Sequence, residues 1–263
     1  MTVDTVRIEH RGATTVVTID RPDVRNAVDG PTARALHEAF LDFDADDARS
    51  VAILTGAGGT FCAGADLKAV ATGDGNRIDD MGDEPDPRSL GPMGPTRLRL
   101  SKPVIAAVEG HAVAGGLELA LWCDLRVAAR DATFGVYCRR WGVPLVDGGT
   151  VRLPRIVGQG RAMDMILSGR PVLGPEAESW GLANRITEPG GALQGAFELA
   201  EQLAAFPQRC LRSDRTSALD QWSLPEWAAL ARETELGLAT VRSGETLEGA
   251  ARFAAGEGRH GAF

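Results

Sequence analysis

Residues 101–124 read SKPVIAAVEGHAVAGGLELALWCD, the order of a strand, a glycine turn and a helix. Val104, Ile105, Ala106, Ala107 and Val108 form a nearly continuous apolar run, which suits a strand covered on both faces. Gly115 and Gly116 then open a helix. Adjacent glycines let the backbone approach a ligand and aim unpaired N–H groups at it, where the helix dipole favours negative charge. Glu118 falls in that first turn, among Ala114, Leu117 and Leu121. Its carboxylate is either a solvated dipole partner or a group held for proton transfer.

Upstream, VRIEHRGATTVVTIDRP alternates around Val6 and Ile8, breaks at Gly12 and resumes at Val16–Ile19, predicting a hairpin that Pro22 ends. Asp29 can cap a helix running to Phe43, with Ala33, Leu36, Ala39, Phe40 and Phe43 on one face. Val51–Leu54 is a further buried strand, followed by TGAGGTFCAGADLK. Gly56 and Gly58 after a strand raise a dinucleotide-binding reading, but Phe61 occupies the third glycine position and no helix begins there. From Thr72 to Thr96 the chain is rich in Gly, Pro and Asp, the composition of a solvated loop or of a lid beside a site.

Downstream, Leu125–Ala128 and Thr133–Val136 read as short strands, and LPRIVGQGRAMDMILSG as a helix ending at Gly169. AESWGLANRI gives a helix end and a strand. From Gly191 to Phe253 the pattern is helical, with turn signals at Pro207, Pro225 and Gly244. The architecture is an α/β layer followed by a helical tail. At 263 residues and 44% hydrophobic, the chain can bury a sizeable core. Its net charge of −8 argues against nucleic acid or an anionic membrane surface as partner. Cys62, Cys123, Cys138 and Cys210 are far apart with no CxxC pair and no secretory segment, so a reducing cytoplasm is expected, without metal or disulfide.

RPDVRNAV, GGTFCAGADLK, SKPVIAAVEGHAVAGGLELALWCDLRVA and GGTVRLPRIVG resemble, in order and spacing, the crotonase family of enoyl-CoA hydratases and isomerases. The resemblance implies a spiral of ββα units over 1–190 carrying the coenzyme A site. It also implies a C-terminal helical region, 191–263, that completes a homotrimer or a dimer of trimers. The substrate would be an acyl-CoA thioester, with no cofactor beyond the coenzyme A it carries.

The same resemblance makes the backbone amides of Ala65 and Gly115 a pair of oxyanion donors and Glu118 the proton carrier. Two preset donors on a developing thioester enolate favour the transition state over the substrate, by roughly 2.7–4 kcal/mol per donor. For coenzyme A it points to Arg25, to the segment containing Ala63, Asp66, Leu67 and Lys68, and to Arg259 in the tail. Family hydratases carry a second glutamate at a spacing that here falls on Cys138, in YCRRWGVPLVDGG. Without it, general acid or base catalysis worth roughly 10²- to 10⁴-fold is at stake. Asp147 is the candidate replacement, or else a turn residue before Gly148 and Gly149. Cys138 either donates a proton or packs, and Trp141 lines the acyl pocket or the core.

Overall fold

The computed structural model describes residues 5–73, 75–83 and 86–258. Strand β1 (Val6–Arg11) pairs antiparallel with β2 (Thr14–Ile19) across Gly12, whose φ of 56° makes the tight turn. β2 is buried along its whole length, so both faces of the sheet are covered there. Helix α1 (Gly30–Ala45) follows, and the Asp29 side chain caps it by accepting from Thr32 N at 2.9 Å. Its apolar stripe of Leu36, Phe40 and Phe43 is buried, with Phe40 meeting Trp122 edge-to-face at 4.8 Å.

Strand β3 (Val51–Gly56), the short helix α2 (Leu67–Thr72), β4 (Val104–Val108), β5 (His111–Val113) and α3 (Gly115–Trp122) come next. They are followed by β6 (Leu125–Ala129), β7 (Thr133–Gly135), α4 (Gly149–Val157), α5 (Gln159–Ser168), β8 (Val172–Leu173), α6 (Gly174–Ser179), β9 (Arg185–Thr187) and α7 (Ala192–Ala205). The main sheet has the order β1-β2-β3-β4-β6-β9, parallel from β2 onward. A smaller sheet, β5-β7-β8, lies beside it. Chain segments pass between the two sheets, as a ββα spiral requires. Helix α3 has Gly115–Leu121 all buried, which explains why it reads as apolar nearly all round rather than as an amphipathic surface helix.

The structure differs from the sequence reading in four places. The helix expected over LPRIVGQGRAMDMILSG is two helices, because Gly158 takes φ 83° and breaks the ladder between α4 and α5. Strands β5 and β8 were too short to show a period. Helix α2 carries only six residues, too few for a periodic signal. The Gly/Pro-rich stretch is not wholly solvated. Residues 91–96 are buried, Met93 at 1% exposure, and Pro95–Arg97 forms a 3-10 turn. There the local composition is outweighed by neighbours that surround the segment on several sides.

Residues up to Glu201 form one compact unit and those from Gln202 another. In the second, α8 (Gln208–Asp220) packs on α9 (Glu226–Arg242), and α10 (Glu245–Ala254) follows. Pro207, Pro225 and Gly244 stand at the helix starts. Glu245 accepts from the N–H groups of Arg209 and Cys210, tying α10 to the first turn of α8. Among the described residues no helix is long and apolar enough to cross a membrane, and no cluster of three or more His, Cys, Asp or Glu is placed to hold a metal.

Candidate active site

The turn after β3 and the start of α3 are pressed together. Cys62 bridges to Ala112 of β5: Cys62 N donates to His111 O at 2.8 Å, and Val113 N to Cys62 O at 3.1 Å. On its other side the turn pairs with Val28, which donates to Gly64 O at 2.9 Å and accepts from Asp66 N at 2.9 Å. That parallel bridge leaves the Ala65 N–H directed away from Val28. The approach is so close that a Cβ on Gly116 would lie 2.1 Å from Cys62 O, and one on Gly64 3.0 Å from Gly115 N. Ala114, just before the helix, holds φ 54° and ψ −126°. That conformation is rare for a residue with a side chain, and it turns the chain sharply into α3. The Ala65 and Gly115 N–H groups have no partner among the described residues.

Both turns open on a cavity of about 860 Å³. Its walls are largely apolar, with Leu67, Val70, Met93, Val113, Val143 and Val146 among them. Glu118, Cys138 and Asp147 also line it. Glu118 is 2% exposed, so it is not a solvated dipole partner. Its Oε1 accepts from Asp147 N at 2.9 Å and Gly149 N at 2.8 Å, the latter being the first residue of α4. Asp147 is 4% exposed, and its Oδ1 accepts from Met93 N at 2.9 Å and from the Thr96 hydroxyl. Arg152, one turn into α4, locks the assembly by donating to Asp147 O at 2.8 Å and Thr96 O at 2.7 Å. Every hydrogen bond given to each carboxylate falls on one oxygen. Oε2 of Glu118 and Oδ2 of Asp147 have no partner among the described residues.

Burial, and then the charge of Asp147, push Glu118 up to about 7. Burial also raises Asp147, against the opposing hydrogen bonds from Thr96 and Met93. Cys138 is raised by burial and by the neighbouring Glu118 charge, so its thiol stays protonated near neutrality. A carboxyl poised near neutral pH can take and return a proton, and a second one shares its cavity.

A model described as enoyl-CoA hydratase/isomerase matches residues 9–260. The chain belongs to this family, within the crotonase superfamily. Its relatives include the enoyl-CoA hydratase EchA19 of Mycobacterium tuberculosis, 36% identical over 94% of this chain and 92% of that protein. Another is the carnitinyl-CoA dehydratase of Salmonella arizonae, 40% identical over 76% and 74%. The crystal structure of enoyl-CoA hydratase EchA1 from Mycobacterium marinum superposes with a TM-score of 0.88 at 37% identity, covering 95% of this chain and 96% of that one. The crotonase fold is therefore shared over nearly the whole length.

Of the residues that the family resemblance singled out, Ala65, Gly115, Glu118 and Asp147 all line the one cavity, as do Arg25, Ala63 and Leu67. Lys68 is exposed and Asp66 is not on the cavity wall. The Asp66 carboxylate instead caps α2 through Lys68 N and Ala69 N and pairs with Arg21 at 3.2 Å. Arg259 lies outside the described residues. Trp141 is on the cavity wall but 72% exposed, so it belongs to the cavity mouth and not to the core. Sequence reading missed Met93, Thr96 and Arg152, which hold Asp147 in place. Met93 shares its polar stretch with Ile78, Met81 and Leu90, so nothing local singles it out, and nothing local marks Thr96.

Proposed function

We propose that this chain hydrates a 2-enoyl-CoA thioester, with the Ala65 and Gly115 N–H groups stabilising the thioester enolate and Glu118 transferring the proton. The observation that carries the reading is the pair of buried carboxylates, each anchored by one oxygen and both lining one cavity. Water addition joins hydroxide to C3 and a proton to C2, so it needs both a base and an acid. Glu118 and Asp147 supply two such groups in the absence of a carboxylate at Cys138. The relatives named as a hydratase and a dehydratase support water addition or its reversal. No cofactor enters beyond the coenzyme A of the substrate.

The enzyme works as a trimer or dimer of trimers in the cytoplasm. Trp227 at 83%, Leu247 at 74% and Phe253 at 66% exposure give the C-terminal helices an apolar surface suited to further copies. Three buried thiols and one exposed thiol suit a reducing compartment.

Steady-state assay of Glu118→Gln and Asp147→Asn on short and medium enoyl-CoAs tests the chemistry, with calorimetry following binding. Both variants keep the shape of the side chain. Turnover should fall roughly 10²- to 10⁴-fold in each while binding holds. Unchanged turnover in Asp147→Asn would leave Glu118 alone and favour a one-carboxylate isomerase.

A further inference from the structure

Asp66 is off the cavity wall, yet it follows directly on Ala65, and its two carboxylate oxygens have separate partners. Oδ1 accepts from Lys68 N at 3.1 Å and Ala69 N at 3.4 Å, capping α2. Oδ2 pairs with Arg21 Nη2 at 3.2 Å. Asp29 divides its oxygens in the same way. Its Oδ1 takes the Thr32 N–H and hydroxyl at the start of α1, and its Oδ2 lies 2.9 Å from the same Arg21 Nη2. The other arm of the guanidinium, Nη1, donates to Ala27 O. The Arg21 backbone is held too, its N–H donating at 2.9 Å to Oδ1 of the fully buried Asn26.

These partners flank one feature. Val28 and Ala65 form an isolated parallel bridge held by two backbone hydrogen bonds, Val28 N to Gly64 O and Asp66 N to Val28 O. On one side of that bridge Arg21 grips Ala27 and Asp29, the neighbours of Val28; on the other it grips Asp66, the neighbour of Ala65. The three side chains are between 13% and 20% exposed, so water screens the pairing far less than it screens a surface ion pair. A planar guanidinium also meets several acceptors in fixed directions, which an ammonium cannot do.

We infer that Arg21 is a positioning residue for the oxyanion hole, clamping the Val28–Ala65 bridge so that the Ala65 N–H stays aimed at the thioester oxygen. This rests on the acyl-CoA reading and on the donor role given to Ala65, but not on the proton transfer. A bridge of two hydrogen bonds can pivot, and a donor stabilises an enolate only when it is preset at hydrogen-bond distance from the developing charge. Arg21 itself is not on the cavity wall, so it acts through the bridge and not on the substrate.

Infrared difference spectra of bound butanoyl-CoA, isotope-labelled at the thioester carbonyl, report the hole directly, because hydrogen bonds to that oxygen lower the C=O stretch. Asp66→Asn keeps the α2 cap, since an amide oxygen can still accept, and removes the pairing with Arg21. Asp29→Asn keeps the α1 cap and removes a like charge, but Ala27 O still holds the guanidinium on that side. Arg21→Lys keeps the charge without the fork. The unmodified protein should lower the stretch on binding. Asp66→Asn and Arg21→Lys should lose roughly half of that shift and roughly 10-fold in kcat, with butanoyl-CoA affinity held within about twofold. Asp29→Asn should keep both the shift and kcat. A full carbonyl shift in Asp66→Asn overturns the inference, whether or not Arg21→Lys folds. An equal loss in Asp29→Asn overturns it too, since the effect would then be a general loosening. No shift in the unmodified protein with the thioester bound would sink the oxyanion hole and the clamp with it, and no binding at all would sink the acyl-CoA reading. A shift that depends on Asp66 and Arg21 without turnover of any enoyl-CoA would support the clamp and sink only the hydratase chemistry.

Discussion

At Glu118 the proposed function and the stability of the protein pull in opposite directions. A carboxyl that ordinarily titrates near 4.5 is held up to about 7 by burial. Below about 4.5 both the folded and the unfolded chain carry the proton, and the group is neutral to stability. Between about 4.5 and about 7 the unfolded chain releases its proton while the folded chain keeps it, so stability falls as pH rises. Above about 7 the loss is complete, on the order of 3 kcal/mol. Glu118→Gln has nothing to ionise, and its amide oxygen can still accept from Asp147 N and Gly149 N. Denaturant titrations at pH 5 and pH 8.5 should therefore show the unmodified protein losing roughly 2–3 kcal/mol relative to the variant across that interval. A constant difference between the two would mean that Glu118 is not held protonated by its site.

Among the elements, α4 does most to make Glu118 usable. Its first residue, Gly149, donates to the carboxylate, and its positive end faces the charge that develops there. Arg152, a turn later, donates to the backbone carbonyls of Asp147 and of Thr96, whose hydroxyl holds the Asp147 carboxylate. The fit leaves no room for a side chain at position 149, since an added Cβ would lie 2.9 Å from Glu118 Oε1. Gly149→Ala is expected to displace the carboxylate by a few tenths of an ångström and to lower kcat about 10-fold or more, with KM and melting temperature little changed. Parallel loss of kcat and of folded protein would instead make Gly149 a packing residue.

For the whole molecule, the expectation concerns the second unit. It leaves Trp222, Trp227, Leu247 and Phe253 half-exposed or more. Covering those side chains in an assembly of several copies would remove them from water, which favours association by roughly 25 cal/mol per Å² before the entropic costs of association are met. Trp227→Asp combined with Leu247→Asp should shift the species seen by analytical ultracentrifugation from trimer or hexamer to monomer. A monomeric unmodified protein would remove the oligomer from the proposal.

The hairpin, the first helix, the buried strand at 104–108 and the helix opened by Gly115 follow from the sequence by itself. Each is long enough to show a period, or is punctuated by Gly12, Asp29 or the glycine pair. The same stretch marked Glu118 as a candidate, because a carboxylate inside an apolar helix start is visible locally. Whether that carboxylate was solvated could not be read there; burial is a property of what packs around α3, and those neighbours come from distant parts of the chain. Asp147 shows the same division. Its sequence neighbours, two glycines, fit a turn as well as a site, and it became a cavity carboxylate only when Met93 and Thr96, more than fifty residues away in the chain, supplied their donors. Residues 91–96 look like solvated loop by composition, yet they are buried, because composition reports the water a segment prefers and not the surfaces that the rest of the fold places against it.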